Sequence, residues 1–319
     1  MGAHTHSHSH AHAHPGDAAD AGRARERALR FAIALTFAFA AVEAVGGWWA
    51  GSLALLADAG HMLSDSAALF LAWIAARLSQ RPPSARLSYG WRRAEVLSAL
   101  VNTVLMFVLV LLLVPAAIDR LQSPHPVQGG SVLLIAGIGL LVNLAVFRVL
   151  HAADRGALNT RGALLHVLGD LLGSVAALVA GAMIWTTGWT PIDPLLSLFI
   201  AVLILVSALR LLRDVLHVLM EAVPAGLDLD AVRARLLATS GVTGVHDLHV
   251  WTLAGDRLLL SAHIGIADSG RWWNLLAELQ RMLRDEFGIG HATLQAEPPE
   301  YAALSCEDCE GATLDDHEH

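Results

Sequence analysis

The chain contains no lysine, little charge of either sign and almost no cysteine. Charged residues make up 16% of its 319 residues, and all 21 basic residues are arginine. So little charge excludes an ordinary soluble domain, in which about 25% of residues are charged. Two cysteines exclude a secreted scaffold that is held together by several disulfides. Histidine-rich polar residues precede the first apolar run, and this order argues against a secretory signal peptide.

The residues that are abundant are apolar. Hydrophobic residues make up 55% of the chain, and the mean hydropathy is +0.53. Six apolar segments are each long enough to cross a hydrocarbon core of about 30 Å as a helix. They lie near Phe31–Ala50, Leu53–Leu78, Val96–Ile118, Val132–Leu150, Ala163–Thr187 and Leu195–Leu212. The composition therefore predicts a polytopic membrane protein with a soluble part.

The arginines predict how the chain is oriented in the membrane. They cluster before the first segment, between segments two and three, between four and five, and after six. The alternate loops hold almost none, with Arg120 as the exception. Basic residues are enriched in cytoplasmic loops. We therefore expect an integral membrane protein with both termini in the cytoplasm, in a bacterial inner membrane.

Two of the apolar segments carry the same pair of polar side chains. His61 and Asp65 lie four residues apart in one segment, and His166 and Asp170 are spaced identically in another. Positions i and i+4 share a face of a helix. Ionisable groups at membrane depth are costly and usually mark an ion pathway. Two imidazoles and two carboxylates would suit a tetrahedral zinc ion. The alternative is two unrelated sets of caps or helix–helix hydrogen bonds.

Other polar residues also lie inside the apolar segments. Glu43, Asn102 and Asn143 are expected to form helix–helix hydrogen bonds. Asp58, three residues before His61, either shapes an exit path or caps its helix, and the sequence slightly favours a cap.

After residue 220 the pattern changes from long apolar runs to short amphipathic elements. Two helical stretches (Leu229–Ala238 and Trp272–Phe287) and three strands (Val245–Leu253, Arg257–Ile266 and Ala292–Ala296) give the order αββαβ. This order predicts a small sheet backed by helices, in a domain small enough to gain stability from dimerisation or metal. The predicted organisation is a disordered His-rich tail (1–28), a six-helix transmembrane domain (29–220), a cytoplasmic domain (221–300) and a C-terminal tail (301–319).

Five motifs together resemble the cation diffusion facilitator family, and within it the zinc exporters. They are Leu56–Asp65, Tyr89–Glu95, Ala163–Asp170, Val245–Trp251 and His291–Glu297. The resemblance implies an all-α bundle of six transmembrane helices, a metallochaperone-like α+β cytoplasmic domain, a homodimer and proton-coupled metal efflux.

The resemblance also implies which residues bind metal. The family's transport site falls on His61, Asp65, His166 and Asp170. The histidine at 61 points to zinc, because relatives with aspartate there accept a broader set of metals. A cytoplasmic zinc site would comprise His246, His263 and Glu297, with surface or structural roles for His249 and His291.

Both tails carry further candidate ligands. Cys306 and Cys309 have chelating spacing but cannot fill a tetrahedral zinc site alone. The resemblance suggests that ligands from a partner's N-terminal segment complete it; here these would be the alternating histidines between residues 4 and 14. The alternative is a loose pair of tail thiols.

The expected function is export of Zn²⁺ from the cytosol in exchange for protons, by alternating access. The expected partners are zinc, protons, lipid and a second copy of the chain, with no nucleic acid. Two alternatives stay open: a broader exporter of Cd²⁺, Co²⁺ and Ni²⁺, and a membrane zinc sensor that does not transport. An enzyme is not expected, because no His-Glu-x-x-His motif is present.

Overall fold

Six long helices occupy the N-terminal two thirds of the chain. The computed structural model describes residues 15–153, 160–255 and 257–298, with backbone alone for 15–30, 32, 150–153 and 160–168. The helices are α1 (Pro15–Ala50), α2 (Leu53–Ser79), α3 (Ala94–Gln122), α4 (Gly129–Ala153), α5 (Thr160–Thr187) and α6 (Ile192–Leu219). Each contains a stretch that is long and apolar enough to cross a membrane. The prediction of a six-helix transmembrane bundle is confirmed.

The first helix begins earlier than the sequence suggested. Residues 15–28, expected to belong to a disordered tail, form the first turns of α1. Alanine and arginine dominate this stretch and favour helix, and Pro15 suits a first helical position. Residues 1–14 lie outside the described part of the chain.

A buried carboxylate fixes the start of α2. Asp193, at the beginning of α6, is 1% exposed. It accepts hydrogen bonds from the hydroxyl of Ser52 and from the backbone N–H groups of Leu53, at 2.7 Å, and Ala54, at 3.4 Å. Arg120 lies 3.7 Å from the same carboxylate and also donates to the carbonyl of Gly51. Free N–H groups at a helix start need acceptors, and a side chain distant in sequence supplies them here.

Close approach of α4 and α5 depends on glycine. A Cβ added at Gly181 would lie 2.7 Å from the backbone nitrogen of Leu133. Small residues at such positions let transmembrane helices pack backbone against backbone. The pairing of α4 with α5 supports the helix that carries His166 and Asp170.

The C-terminal part forms the predicted αββαβ fold. Its elements are α7 (Leu229–Leu237), β1 (Val242–Ala254), β2 (Arg257–Ile266), α8 (Trp272–Phe287) and β3 (His291–Glu297), with a short 3-10 turn before α8. β2 is the central strand, antiparallel to β1 and parallel to β3. Both helices pack on one face of the sheet through a core that includes Leu236, Ile264 and Leu279. The opposite face is therefore available for polar side chains.

Candidate metal sites

One face of α2 carries the first predicted pair of ligands. The Nε2 atom of His61 lies 3.6 Å from Oδ2 of Asp65, and each side chain is 19% exposed. Helical spacing accounts for the pairing, because residues four apart lie one turn above each other. Both side chains are thus partly exposed.

The second predicted pair lies on α5. Asp170 is half-buried, and its backbone carbonyl accepts a hydrogen bond from the Asn143 side chain at 3.4 Å. The same amide donates to the hydroxyl of Ser174 at 3.1 Å, so Asn143 ties α4 to α5 beside the site. The backbone of His166 occupies the turn before Asp170, while its side chain is outside the described atoms.

A contact between α2 and α5 brings the two pairs to neighbouring turns. Oδ1 of Asp58 is 3.6 Å from the place that a Cβ on Gly173 would occupy. Successive spans alternate in direction, so α2 and α5 run antiparallel. One turn further along each helix lie His61 and Asp170, which therefore occupy facing turns.

The predictions for the other polar residues have mixed outcomes. Helix–helix hydrogen bonding is confirmed for Asn143 and for Asn102, which accepts from the hydroxyl of Ser64 at 3.3 Å. The prediction that Asp58 caps its helix is wrong. α2 begins at Leu53, so Asp58 lies in the second turn, and the capping acceptors come from Ser52 and Asp193.

The cytoplasmic domain holds the most compact set of candidate ligands. Within the described ranges, one group of three has ligand atoms that all lie within 4.8 Å of one another: His246, His263 and Glu297. Strand register explains the convergence, because His246 on β1 is directly opposite His263 on β2. Glu297 is opposite Gly265 on the other side of β2. Three strands thus each contribute one side chain to the face that α7 and α8 leave uncovered.

The glutamate bridges the two histidines. Its Oε2 lies 2.6 Å from Nε2 of His246, and its Oε1 lies 2.8 Å from Nδ1 of His263. The imidazole rings meet edge to face, with centroids 5.0 Å apart. Two imidazole nitrogens and a carboxylate form a donor set suited to Zn²⁺. At these distances, only a small adjustment of the three side chains is needed for them to bind one ion.

Sequence reasoning missed Asp247. This residue lies at a bulge in β1, where the register with β2 shifts, and has a positive φ of 52°. Its carboxylate contacts Nε2 of His249 at 2.8 Å and Nε2 of His263 at 3.5 Å. A carboxylate bound to the second nitrogen of a metal-binding histidine orients its ring. The His-Asp-x-His spacing was a signal for this role.

The histidines shift the titration of both carboxyl groups. A hydrogen bond with His249 lowers the pKa of Asp247, helped by the charges of His249, His263 and His246. Burial raises the pKa of Glu297, but the hydrogen bond with His246 and the charges of both histidines outweigh it, so the net pKa is lowered. When folding lowers the pKa of a carboxyl group, its ionised form adds to the free energy of unfolding at pH values above the unfolded-state pKa. This stabilisation is lost as the pH falls through the folded-state pKa. Both groups are therefore anionic and ready to bind a cation at neutral pH.

The remaining candidate ligands are His291, the two cysteines and the N-terminal histidines. His291 is exposed at the start of β3. Cys306, Cys309 and the N-terminal histidines lie outside the described residues.

Two family models match the chain. One, described as the cation efflux transmembrane domain, matches residues 29–220; the other, described as the cation efflux protein cytoplasmic domain, matches residues 224–299.

Similar proteins cover nearly the whole chain. The zinc transporter ZitB of Escherichia coli (strain K12) is 43% identical over 283 residues, which are 88% of this chain and 90% of the relative. The "Cadmium, cobalt and zinc/H(+)-K(+) antiporter" of Bacillus subtilis (strain 168) is 35% identical over 289 residues, or 88% and 93%. A solved structure, the "Metal-bound C-terminal domain of the CzcD transporter from Cuprividus metallidurans", is 40% identical over 22% of this chain and 99% of that chain, with a TM-score of 0.21.

Proposed function

Because the chain belongs to the cation efflux family of membrane transporters, we propose that it exports Zn²⁺ from the cytosol in exchange for protons. The observation that supports the proposal is the close approach of Asp58 on α2 to Gly173 on α5, one turn from His61 and from Asp170 respectively. Two helices would each contribute a nitrogen and an oxygen, with His166 as the fourth ligand. Such a mixed set favours zinc, whereas Mg²⁺ and Mn²⁺ prefer oxygen ligands alone.

Protons and zinc would compete for the same side chains. Zinc binding needs neutral histidines and ionised aspartates, so the metal displaces protons when it binds. A histidine titrates near pH ~6.5, within the range of pH differences across a bacterial membrane. Alternating access would let zinc load from the cytosol and let protons displace it on the other side. The similarity to ZitB and to an antiporter that is named for zinc and H⁺ supports this scheme.

The direction of transport rests on the orientation of the chain. The arginine-rich loops would face the cytosol, and the αββαβ domain would lie on the same side. Arg120, the exception in sequence, is accounted for by its contact with Asp193. Its position therefore does not weaken the assignment of both termini to the cytoplasm of a bacterial inner membrane.

The cytoplasmic site would hold a second zinc ion. His246, His263 and Glu297 supply three ligands, and a water or a partner residue would complete a tetrahedron. A bound ion would replace the hydrogens that now link Glu297 to the two rings, and would join the three strands. Such a link would stabilise a small domain and favour the homodimer that the family resemblance implies.

Zinc flux into inside-out proteoliposomes tests the proposal. The wild-type chain should take up zinc with counter-movement of protons across a set pH gradient. Asp65→Ala and Asp170→Ala should each abolish uptake, because each removes a charged ligand from a four-ligand site. Asp214→Ala is the matched control, since this aspartate is exposed on α6 and should leave flux unchanged.

The same assay separates the alternatives. Near-normal flux in either aspartate variant would defeat the transport-site assignment. Wild-type protein that binds zinc but moves none would favour the zinc sensor. Comparable uptake of Cd²⁺ or Co²⁺ would favour the broader exporter, a possibility raised by the Bacillus relative's name.

A further inference from the structure

The proposed exchange gives no role to a buried acid of α1. Glu43 of α1 is 2% exposed, and its Oε2 has no hydrogen-bond partner among the residues that the structure describes. An ionised carboxylate that is buried without a partner is strongly disfavoured, above all at membrane depth. Glu43 therefore needs either a cation or a proton.

Two packing contacts define what lies opposite Glu43. Near one end of the helix pair, a Cβ on Gly47 of α1 would lie 2.9 Å from Cβ of Leu55 on α2. Further along, Ala40 of α1 shares a hydrophobic cluster with Met62 of α2. The two helices are consecutive spans, so their residue numbers run in opposite directions.

Between these contacts each helix carries an acid. Midway from Ala40 to Gly47 lies Glu43, and midway from Leu55 to Met62 lies Asp58. Asp58 is 6% exposed. Two buried carboxylates thus occupy the same level of the bundle, one turn from His61 toward the start of α2.

No positive charge balances this pair within the described bundle. Glu43 interacts electrostatically with Asp58 and with Asp170. α2 also brings His61 and Asp65 nearby. On α4, the one ionisable residue between positions 129 and 149 is Arg148, near the end of that helix away from Glu43 and Asp58.

At the end of the bundle where α2 begins, Arg120 is already in contact with Asp193 and with the carbonyl of Gly51. Adjacent carboxylates in a medium of low dielectric constant do not both ionise, so one of them keeps a proton.

We propose that Glu43 is a proton-binding residue of this transporter, in addition to the four candidate zinc ligands. The proposal rests on the zinc/proton exchange proposed above. Without metal, the Glu43 carboxyl holds its proton because it is buried with an unpartnered oxygen, and the negative charges of Asp58 and Asp170 add to this effect. When Zn²⁺ binds one turn away, its two positive charges offset the aspartates. The Glu43 O–H bond then breaks, the carboxylate remains and one H⁺ leaves to solvent.

Counting the protons that zinc displaces tests this role. Full-length protein in detergent is titrated with ZnCl₂ in weak buffer near neutral pH, and a pH indicator reports the release. Glu43→Gln should release about one proton fewer per chain than wild type, because the amide has none to give. Glu43→Asp should restore the release. Glu278→Gln, an exposed glutamate on α8, is the matched control and should behave as wild type.

The amide variant also separates proton binding from a structural role. If Glu43 only forms a helix–helix hydrogen bond, glutamine preserves it, and unchanged release would overturn the proposal. If Glu43 instead binds zinc, Glu43→Gln would lose more than tenfold in zinc affinity even at high pH, where protons no longer compete; this result would also overturn it.

A second variant covers the case in which Glu43→Gln does not fold. Asp58→Asn removes the neighbouring charge but not the burial, so the proton that zinc displaces from Glu43 should come off at a lower pH than in wild type. An unchanged pH dependence of proton release in Asp58→Asn would count against the proposal. Absence of zinc flux in wild-type vesicles would overturn the proposed function, whereas normal flux with unchanged proton release in Glu43→Gln overturns only the role of Glu43.

Discussion

Replacing Asp193 tests how the bundle holds the helix that bears the proposed zinc ligands. Asp193→Ala leaves two N–H groups of α2, the hydroxyl of Ser52 and the guanidinium of Arg120 without their shared acceptor. A hydrogen bond to a charged group contributes about 1.5–3 kcal/mol, and breaking one partner of a buried ion pair costs roughly 3–5 kcal/mol. These terms overlap, so we expect a loss of about 3–5 kcal/mol in the free energy of unfolding.

Thermal unfolding in detergent, followed by tryptophan fluorescence, measures this loss. At roughly 2–4 °C per kcal/mol for a domain of this size, Tm should fall by about 10 °C. Asp193→Asn keeps one acceptor oxygen and should lose about half as much. The exposed Asp119→Ala on α3 should change stability by less than about 0.5 kcal/mol. If Asp193→Ala unfolds at the same temperature as Asp119→Ala, the carboxylate does not hold α2.

Three further predictions concern metal binding. His61→Asp should raise cadmium transport relative to zinc, because it makes the site resemble that of relatives with aspartate there, which accept a broader set of metals; an unchanged Cd/Zn flux ratio would show that this residue does not set selectivity. His263→Ala should remove one bound zinc per chain, measured by equilibrium dialysis at neutral pH, and unaltered stoichiometry would refute the cytoplasmic site. Deleting residues 2–16 should weaken zinc capture at low free zinc yet leave maximal flux within about twofold. If the tail completes a site with Cys306 and Cys309, combining the deletion with serine at both positions should lower zinc stoichiometry no further than either change alone, whereas additive losses would show independent sites.

Properties that depend on local spacing could be read from the chain. The six spans follow from the lengths of the apolar runs, and the His61–Asp65 pairing follows from helical periodicity. The central strand is an example from the soluble domain. Its alternation placed His263 opposite the apolar face, and the structure has β2 with the bounds that the pattern predicted.

Tertiary packing decided which polar groups meet. Asp193 and Leu53 are 140 positions apart, and no local pattern indicates that one caps the helix of the other. Asp247 became part of the histidine cluster only because a bulge in β1 turns its carboxylate toward β2. Glu43 and Asp58 each looked like an ordinary polar residue within an apolar helix. Their burial at one level depends on the register between α1 and α2, and that register is set by contacts such as Gly47 against Leu55. The cost of burying a charge depends on what surrounds it in space, so the proton-binding role of Glu43 could be inferred only from the packed bundle.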